Sequence, residues 1–484
     1  MLAPLAQFCR RYGYQAAALG CLLPFVALAF YSHPALDDFA FGEVLRTKNI
    51  GTYVANVYRH NSGRYAAALS TVVVQVFGQH PAAYPWLVLA GLLALVAALY
   101  AAAAAAVPVG ATRRLAGPIG SVLLVACLLN FPKPADGIYW LTGEVAYLHP
   151  VVLTALLVAL LAWLAARPAA SGRGLAWVAA VALAAFIPGY SEITALLLPL
   201  VAAGLALGLR PRRVPAGWLT VVAATLAGSL ATLATPAHHG HWQAATQPLE
   251  VAQAAGRAAA HTAYTLLNWL GNGLLPLWLL LALPLSVAYS RAAGGRGLVQ
   301  RLTRPLWLWP LLTLAGLWGS FFFYMLATHD ALVPRVKNLL CCYFVAGFVL
   351  SAHAAFRRLP PRYQALLLAA PVRAGLALAL LLALLSDHNP RLLPARAGQG
   401  LGPVPQAYRD WLGGDAARYH WQQQARVAQV LAAPPSAAPL RLEPLQTPPP
   451  SLFYADLSVN PTAWGNQSYA AFYHYPAVYV APAR

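Results

Sequence analysis

Two adjacent carboxylates, Asp37 and Asp38, stand in the segment His33-Pro34-Ala35-Leu36-Asp37-Asp38-Phe39, just after the first long apolar run of the chain. They repel one another and are costly to desolvate at the edge of a bilayer, so such a pair usually binds a cation or moves a proton. With Glu43 nearby, Asp37 and Asp38 can offer oxygen ligands to a divalent metal, Mg²⁺ or Mn²⁺. Alternatively, one of them acts as general base toward an acceptor hydroxyl. A plainer role is compatible with either: Asp38 caps a helix running from Phe39 to Arg46.

Basic and aromatic residues accompany the acids. The same loop carries Arg46, Lys48, Arg59 and Arg64, the last within Tyr58-Arg59-His60-Asn61-Ser62-Gly63-Arg64-Tyr65. A guanidinium fork matches phosphate oxygens, although Arg and Tyr also serve as interface anchors. Further on, Asp136-Gly137-Ile138-Tyr139-Trp140-Leu141-Thr142-Gly143-Glu144 sets the rings of Tyr139 and Trp140 beside carboxylates, a combination suited to sugars, and Tyr147 and His149 follow. Glu192 lies between two apolar runs, where an ionisable group is a functional candidate; a capping or buried-pair role is the alternative. Arg335 and Lys337, after His329-Asp330, open a later apolar run and are further contacts for a phosphate or diphosphate, or else interface anchors. His238, His239 and His241 have the composition of a metal site. Gly240 breaks helical spacing there and no companion Cys or HExxH helix is present, so zinc is not expected.

The elements that must position these groups are apolar helices. Of 484 residues, 60% are hydrophobic and only 9% charged, against about 25% charged in a soluble domain. Runs near the roughly 20 residues that span a bilayer recur, and they are continuous rather than alternating as in a membrane barrel. About eleven are expected: 15–31, 84–107, 118–130, 145–166, 175–187, 193–209, 217–234, one ending near Tyr289, 306–327, 336–355 and 366–385. Residues 1–386 then form a polytopic membrane domain with a first extracytoplasmic loop over 32–83, and 387–484 form a small extracytoplasmic tail. The tail is Pro-rich around an amphipathic piece, Tyr408 to Val430. The first run reads as an uncleaved anchor rather than a signal peptide, because the paired acids follow it so closely.

Charge orients the set. Lys and Arg clusters mark cytoplasmic loops, and with the clusters between spans turned inward all 13 acids fall on the other side. A cytosolic nucleotide site needs carboxylates for its Mg²⁺, so no nucleotide cofactor is expected. The net charge of +19 comes in small clusters between apolar runs, which argues against a nucleic-acid partner. The five cysteines lie in or beside apolar runs and indicate neither a disulfide framework nor a metal motif.

Taken in order, Asp-Asp-Phe after the first span, Ser-Gly-Arg-Tyr, Tyr-Trp-Leu-Thr-Gly-Glu-Val-Ala-Tyr, Gly-Tyr-Ser-Glu, Arg335 with Asn338, and the tail's Asp456-Leu457-Ser458-Val459-Asn460-Pro461 and Trp464-Gly465-Asn466 resemble a bacterial family of multispanning proteins. That family is similar in layout to GT-C glycosyltransferases. The resemblance implies an all-α polytopic, GT-C-like fold in the bacterial inner membrane, with a cytoplasmic N-terminus and an extracytoplasmic tail. It also implies transfer of a sugar from a polyprenyl-phosphate donor to an envelope glycan, lipid or protein acceptor. On this resemblance the catalytic or metal-binding acid is Asp37 or Asp38, and Arg64, Arg335 and Lys337 assist the phosphate. Arg59, Tyr139, Trp140, Glu144, Tyr147, His149 and Glu192 complete the substrate-binding set. Three other readings compete. A polymerase or ligase using lipid diphosphates would depend on Arg64, Arg335 or Arg257 and tolerate loss of Asp37. A transporter should place its ionisable groups at mid-membrane, and a scaffold would use the acids only for topology and capping.

Overall fold

The computed structural model describes residues 2–47, 49–167, 171–209, 216–235, 248–294, 297–386, 401–432 and 439–482. Ala- and Leu-rich runs in an apolar medium can satisfy their backbone groups only within themselves, so they close as helices. Among the described residues strand is confined to Leu440–Leu442 and Val478–Val480, which pair in parallel with Leu440 opposite Val478 and Leu442 opposite Val480.

Among the described residues six helices are long and apolar enough to cross a membrane: Tyr12–Ala29, Pro81–Ala106, Leu141–Ala166, Arg173–Tyr190, Leu308–Thr328 and Pro334–Phe356. Two bent pairs, Leu274–Leu281 with Leu283–Ala293 (47°) and Pro361–Leu368 with Ala370–Leu385 (63°), bring the number to eight if each is one span. Each break falls just ahead of a proline, Pro284 or Pro371, whose ring and missing N–H end the preceding helix. The other three of the eleven apolar runs are the shorter helices Arg114–Asn130, Glu192–Gly208 and Gly217–Leu233. Seventeen residues rise about 25 Å, short of the roughly 30 Å hydrocarbon core, so apolar runs outnumber full-length crossings.

Helix direction divides the bundle into two ends. His149–Ala166, Glu192–Leu209 and Pro334–Phe356 all begin at the end that carries Asp37 and Asp38, so three positive helix ends face the acids. At the opposite end arginines bond carbonyls at or just past helix ends: Arg173 Nη1 donates to the carbonyls of Leu164 (2.8 Å) and Arg167 (2.6 Å), and Arg358 Nη2 to that of Arg304 (2.7 Å).

The tail shares its core with the helical body. One continuous buried cluster runs from Phe25, Leu28, Leu92, Leu128 and Leu340 to Val404, Tyr419, Leu442 and Phe472. The Tyr408 hydroxyl of helix Pro403–Leu412 donates to the Gly20 carbonyl of the first helix (2.7 Å). Phe39, on the acid-bearing helix Asp37–Thr47, packs edge-on against Tyr469 and Phe472 of helix Trp464–Phe472, with ring centres 4.7 and 5.3 Å away. That helix also meets Val72–Gln79 at Gly42 and Gly78, where a Cβ on Gly78 would lie 2.2 Å from the Gly42 carbonyl oxygen.

Candidate functional site

The acids are aimed by a sharp turn. Leu36 adopts a left-handed backbone (φ 41°) and starts helix Asp37–Thr47. The turn is clamped from the tail, since a Cβ on Gly465 would stand 2.3 Å from the Leu36 side chain. Asp38 is fully buried and accepts four hydrogen bonds: from Ala35 N–H (3.0 Å) and the Tyr84 hydroxyl (2.8 Å) on Oδ2, and from Thr142 N–H (2.8 Å) and hydroxyl (2.6 Å) on Oδ1. It lies inside the first turn and ties the incoming chain, the third candidate span's start and the helix of Tyr84 together, instead of capping the Phe39 helix. Burial raises its pKa to about 6 against the downward pull of those hydrogen bonds. Asp37 is half-buried, and its Oδ1 accepts the Trp464 indole N–H at 2.6 Å.

Asp38 offers no free oxygen to a divalent cation. Both oxygens of Asp38 already receive N–H or O–H donors, and among the described residues no three His, Cys, Asp or Glu side chains gather as a metal-ligand set. Lys48, His238, His239 and His241 lie outside the described residues.

A basic and aromatic group adjoins the acids. Arg335, in the first turn of Pro334–Phe356, donates to the Tyr454 hydroxyl (3.4 Å), hydrogen-bonds Tyr147, and holds its guanidinium 5.7 Å from the Trp140 ring centre. Tyr454 stacks on Trp140 with centres 3.9 Å apart and planes at 8°. Lys133 pairs with buried Asp136 (2.7 Å) and stands 5.8 Å over the Tyr454 ring; burial raises the Asp136 pKa, opposed by that ammonium. The Lys133 backbone is fixed by Asn338, which accepts its N–H (2.9 Å) and donates to its carbonyl (2.8 Å). Arg64 makes a forked pair with Glu192, Nε to both carboxylate oxygens at 3.1 Å and Nη2 to Oε2 at 2.8 Å. Among the described residues Arg335, unlike Arg64 and Lys133, forms no ion pair with a carboxylate, so its charge is open to an anion.

Other expected residues are placed differently. Tyr139 is buried, donating to the Phe25 carbonyl (2.9 Å) while its own carbonyl accepts the Tyr84 hydroxyl (2.9 Å), so it braces the fold. Glu144 is fully buried within electrostatic reach of Asp38, and among the described residues neither carboxyl oxygen has a hydrogen-bond partner. Tyr147 is buried, and His149 half-buried at a helix start. Lys337 is half-buried two residues beyond Arg335, on a different face of the helix, within electrostatic reach of His261. Arg59 is exposed and lines a separate hollow with Ile50, Val54 and Leu69, and Arg257 is exposed on Pro248–Gly271. Residues first given roles by the structure are Tyr84, Lys133, Thr142, Tyr454 and Trp464. Thr142 and Trp464 stand in quoted motifs, but Tyr84 and Lys133 carry no local signal.

Below the basic group opens an apolar cavity of about 370 Å³. Its lining includes Leu339, Pro150 and Thr194, which follow Arg335, His149 and Glu192 by four, one and two residues. It continues past Cys342, Val349 and Leu205 to Phe356 and Ala106 near the arginine-rich end.

No family model matches the chain, and neither a curated protein nor a solved structure matches it.

Proposed function

We propose that this protein is a membrane glycosyltransferase that takes a sugar from a polyprenyl-phosphate donor at its acidic end. The observation that carries the reading is the placement of Arg335 at the positive end of a helix whose next turns line the apolar cavity. A lipid phosphate has that polarity: an anion for the helix N-terminus and guanidinium, and a chain for the apolar space below. Trp140 and Tyr454 offer aromatic faces to the sugar.

In this reading Asp37 is the general base. The acceptor hydroxyl oxygen bonds to the anomeric carbon, its proton passes to the Asp37 carboxylate, and the bond from anomeric carbon to phosphate oxygen breaks with its electron pair going to the phosphate. Arg335 neutralises that leaving charge, assisted by Arg64, Lys133 and Lys337. Asp38 holds the loop that aims Asp37. No step is routed through a metal in this reading, since both Asp38 oxygens already accept N–H and O–H donors. In a GT-C-like arrangement of eleven crossings, the three shorter helices span a locally thinned bilayer, and the acidic end faces the extracytoplasmic side of a bacterial inner membrane.

The test is transfer from a panel of polyprenyl-phosphate sugars to envelope extract by purified protein, with and without EDTA. Wild type should transfer, EDTA should leave transfer intact, and Asp37→Asn and Arg335→Ala should each lower turnover about 100-fold. Undiminished turnover in Arg335→Ala refutes the reading. Loss in Arg335→Ala with activity kept in Asp37→Asn favours a polymerase or ligase that uses lipid diphosphates, a reading motivated by the four basic side chains Arg64, Lys133, Arg335 and Lys337 at this end.

A further inference from the structure

We infer that Trp464 is a stacking platform for a pyranose ring, so that the acceptor met by Asp37 is a carbohydrate. The inference rests on the transferase reading for its role but on separate observations for the site. Trp464 is 62% exposed, yet its indole is held in one orientation by the hydrogen bond to Asp37 Oδ1 at 2.6 Å. Its backbone is equally fixed. Gly465 is pressed on Leu36, and buried Asn466 accepts Ser458 N–H (2.8 Å) and donates to the carbonyls of Ser458 (2.7 Å) and Val478 (2.9 Å). The Ser468 hydroxyl donates to the Trp464 carbonyl (2.9 Å).

An exposed aromatic face locked beside a carboxylate has a particular partner chemistry. A pyranose presents an apolar C–H face to the ring and equatorial hydroxyls to the flanking carboxylate, and a pre-positioned indole gives up little entropy on binding it. Asp37 Oδ2 has no hydrogen bond among the described residues, so that oxygen is left for a hydroxyl. The platform also lies on the correct side. Asp37, which holds Trp464, lies within electrostatic reach of Tyr454, and Tyr454 accepts a hydrogen bond from Arg335. Tyr454 is itself held in place: Arg426 grips Asp456 through two bonds (2.6 and 2.9 Å), and Asp410 accepts Ser451 N–H (2.8 Å). Trp421, 70% exposed on helix Asp415–Ala432, makes no hydrogen bond through its indole among the described residues and serves as a control.

The experiment uses the full chain in detergent micelles, with chitotetraose, cellotetraose and maltotetraose as probes and saturation-transfer NMR titration as the readout. At least one probe should bind wild type and Trp421→Ala alike. Trp464→Ala should weaken it about tenfold, and Trp464→Phe, which keeps an aromatic face, should recover most of the loss. Equal affinity in Trp464→Ala, no recovery in Trp464→Phe while its thermal melt matches wild type, or no binding of any probe to wild type overturns the inference. Farnesyl phosphate binding, measured on the same preparations with Arg335→Ala beside wild type, reports on the transferase reading separately. Sugar binding through Trp464 without phosphate binding through Arg335 would sink that reading and leave the platform standing.

Discussion

Replacing Glu144 should stabilise the protein. Glu144 is fully buried, and among the described residues neither of its carboxyl oxygens has a hydrogen-bond partner. Leaving buried polar groups unmatched costs about 1–3 kcal/mol, and more if the carboxyl is charged. Glu144→Leu keeps most of the volume and removes that cost, so stability should rise by about 1–3 kcal/mol. Gly91 supplies an independent check, because a Cβ there would fall 1.2 Å from Glu144 Oε1 and 2.5 Å from its Cδ. Gly91→Ala alone must therefore push the carboxyl aside, an overpacking cost of about 1–3 kcal/mol. Paired with Glu144→Ala, the same methyl meets open space and its helix propensity gives back about 1 kcal/mol. The two sites should then be non-additive by about 2–3 kcal/mol. The assay is thermal unfolding in detergent at fixed scan rate, since membrane-protein melts are commonly irreversible, alongside sugar transfer. A melt lowered in Glu144→Leu, or strict additivity with Gly91→Ala, would refute the reasoning. Higher stability with transfer intact would show the carboxyl to be dispensable.

Asp38→Ala leaves two half-buried amide donors, Ala35 N–H and Thr142 N–H, without their acceptor. At about 1–3 kcal/mol each, partly offset by release of the buried charge, the net loss should be about 2 kcal/mol; Asp37→Asn, with one rim contact, should cost under about 1 kcal/mol, both read by thermal melts. The pH dependence has a definite sign. With its folded pKa raised to about 6 from 3.8, Asp38 binds its proton more tightly in the fold, so its contribution grows as pH falls from about 6 toward 4 and is lost as pH rises through 6. The wild-type curve should differ from that of Asp38→Asn by at most about 1.4 kcal/mol per pH unit in that window. Arg64→Ala strips the guanidinium from Glu192, which is only 9% exposed, whereas Arg64 itself is 41% exposed and accessible to water. Arg64→Ala should therefore melt lower than Glu192→Ala, and the double variant should recover part of the Arg64→Ala loss, as read by a double-mutant cycle.

Much of the helical layout is legible because apolarity is local: each run contains the information that it is a helix. Its length as a crossing is less legible, since Pro284 and Pro371 divide runs that look continuous in composition, and Glu192–Gly208 is apolar but too short for a straight span. The acids, Arg64, Trp140 and Arg335 stand out in sequence because charges and rings beside apolar runs are conspicuous. Their partners do not. Asp38 meets Thr142 across 104 positions and Tyr84 across 46, and neither separation leaves a mark in local spacing. Tyr139 illustrates the converse: a ring beside carboxylates reads as a sugar face, but its hydroxyl is committed to Phe25 114 residues away.

The division at residue 387 marks a change in composition that the packing does not follow. Proline and polar residues set the tail apart from the apolar runs, but Tyr408 reaches Gly20, Gly465 clamps Leu36, Tyr454 covers Trp140 and Trp464 holds Asp37 across 427 residues. The tail thus supplies an aromatic partner to each half of the candidate site, Tyr454 on the phosphate side and Trp464 on the acid side. A chain ending near residue 386 should retain the helices but loosen the left-handed turn at Leu36, which Gly465 of the tail buttresses beside the local Ala35–Asp38 hydrogen bonds. Asp37 would lose its orientation with it. The chemistry proposed for this protein therefore depends on the tail as directly as on the acids, and the order of the chain conceals this because contacts separated by 300 residues or more assemble the site.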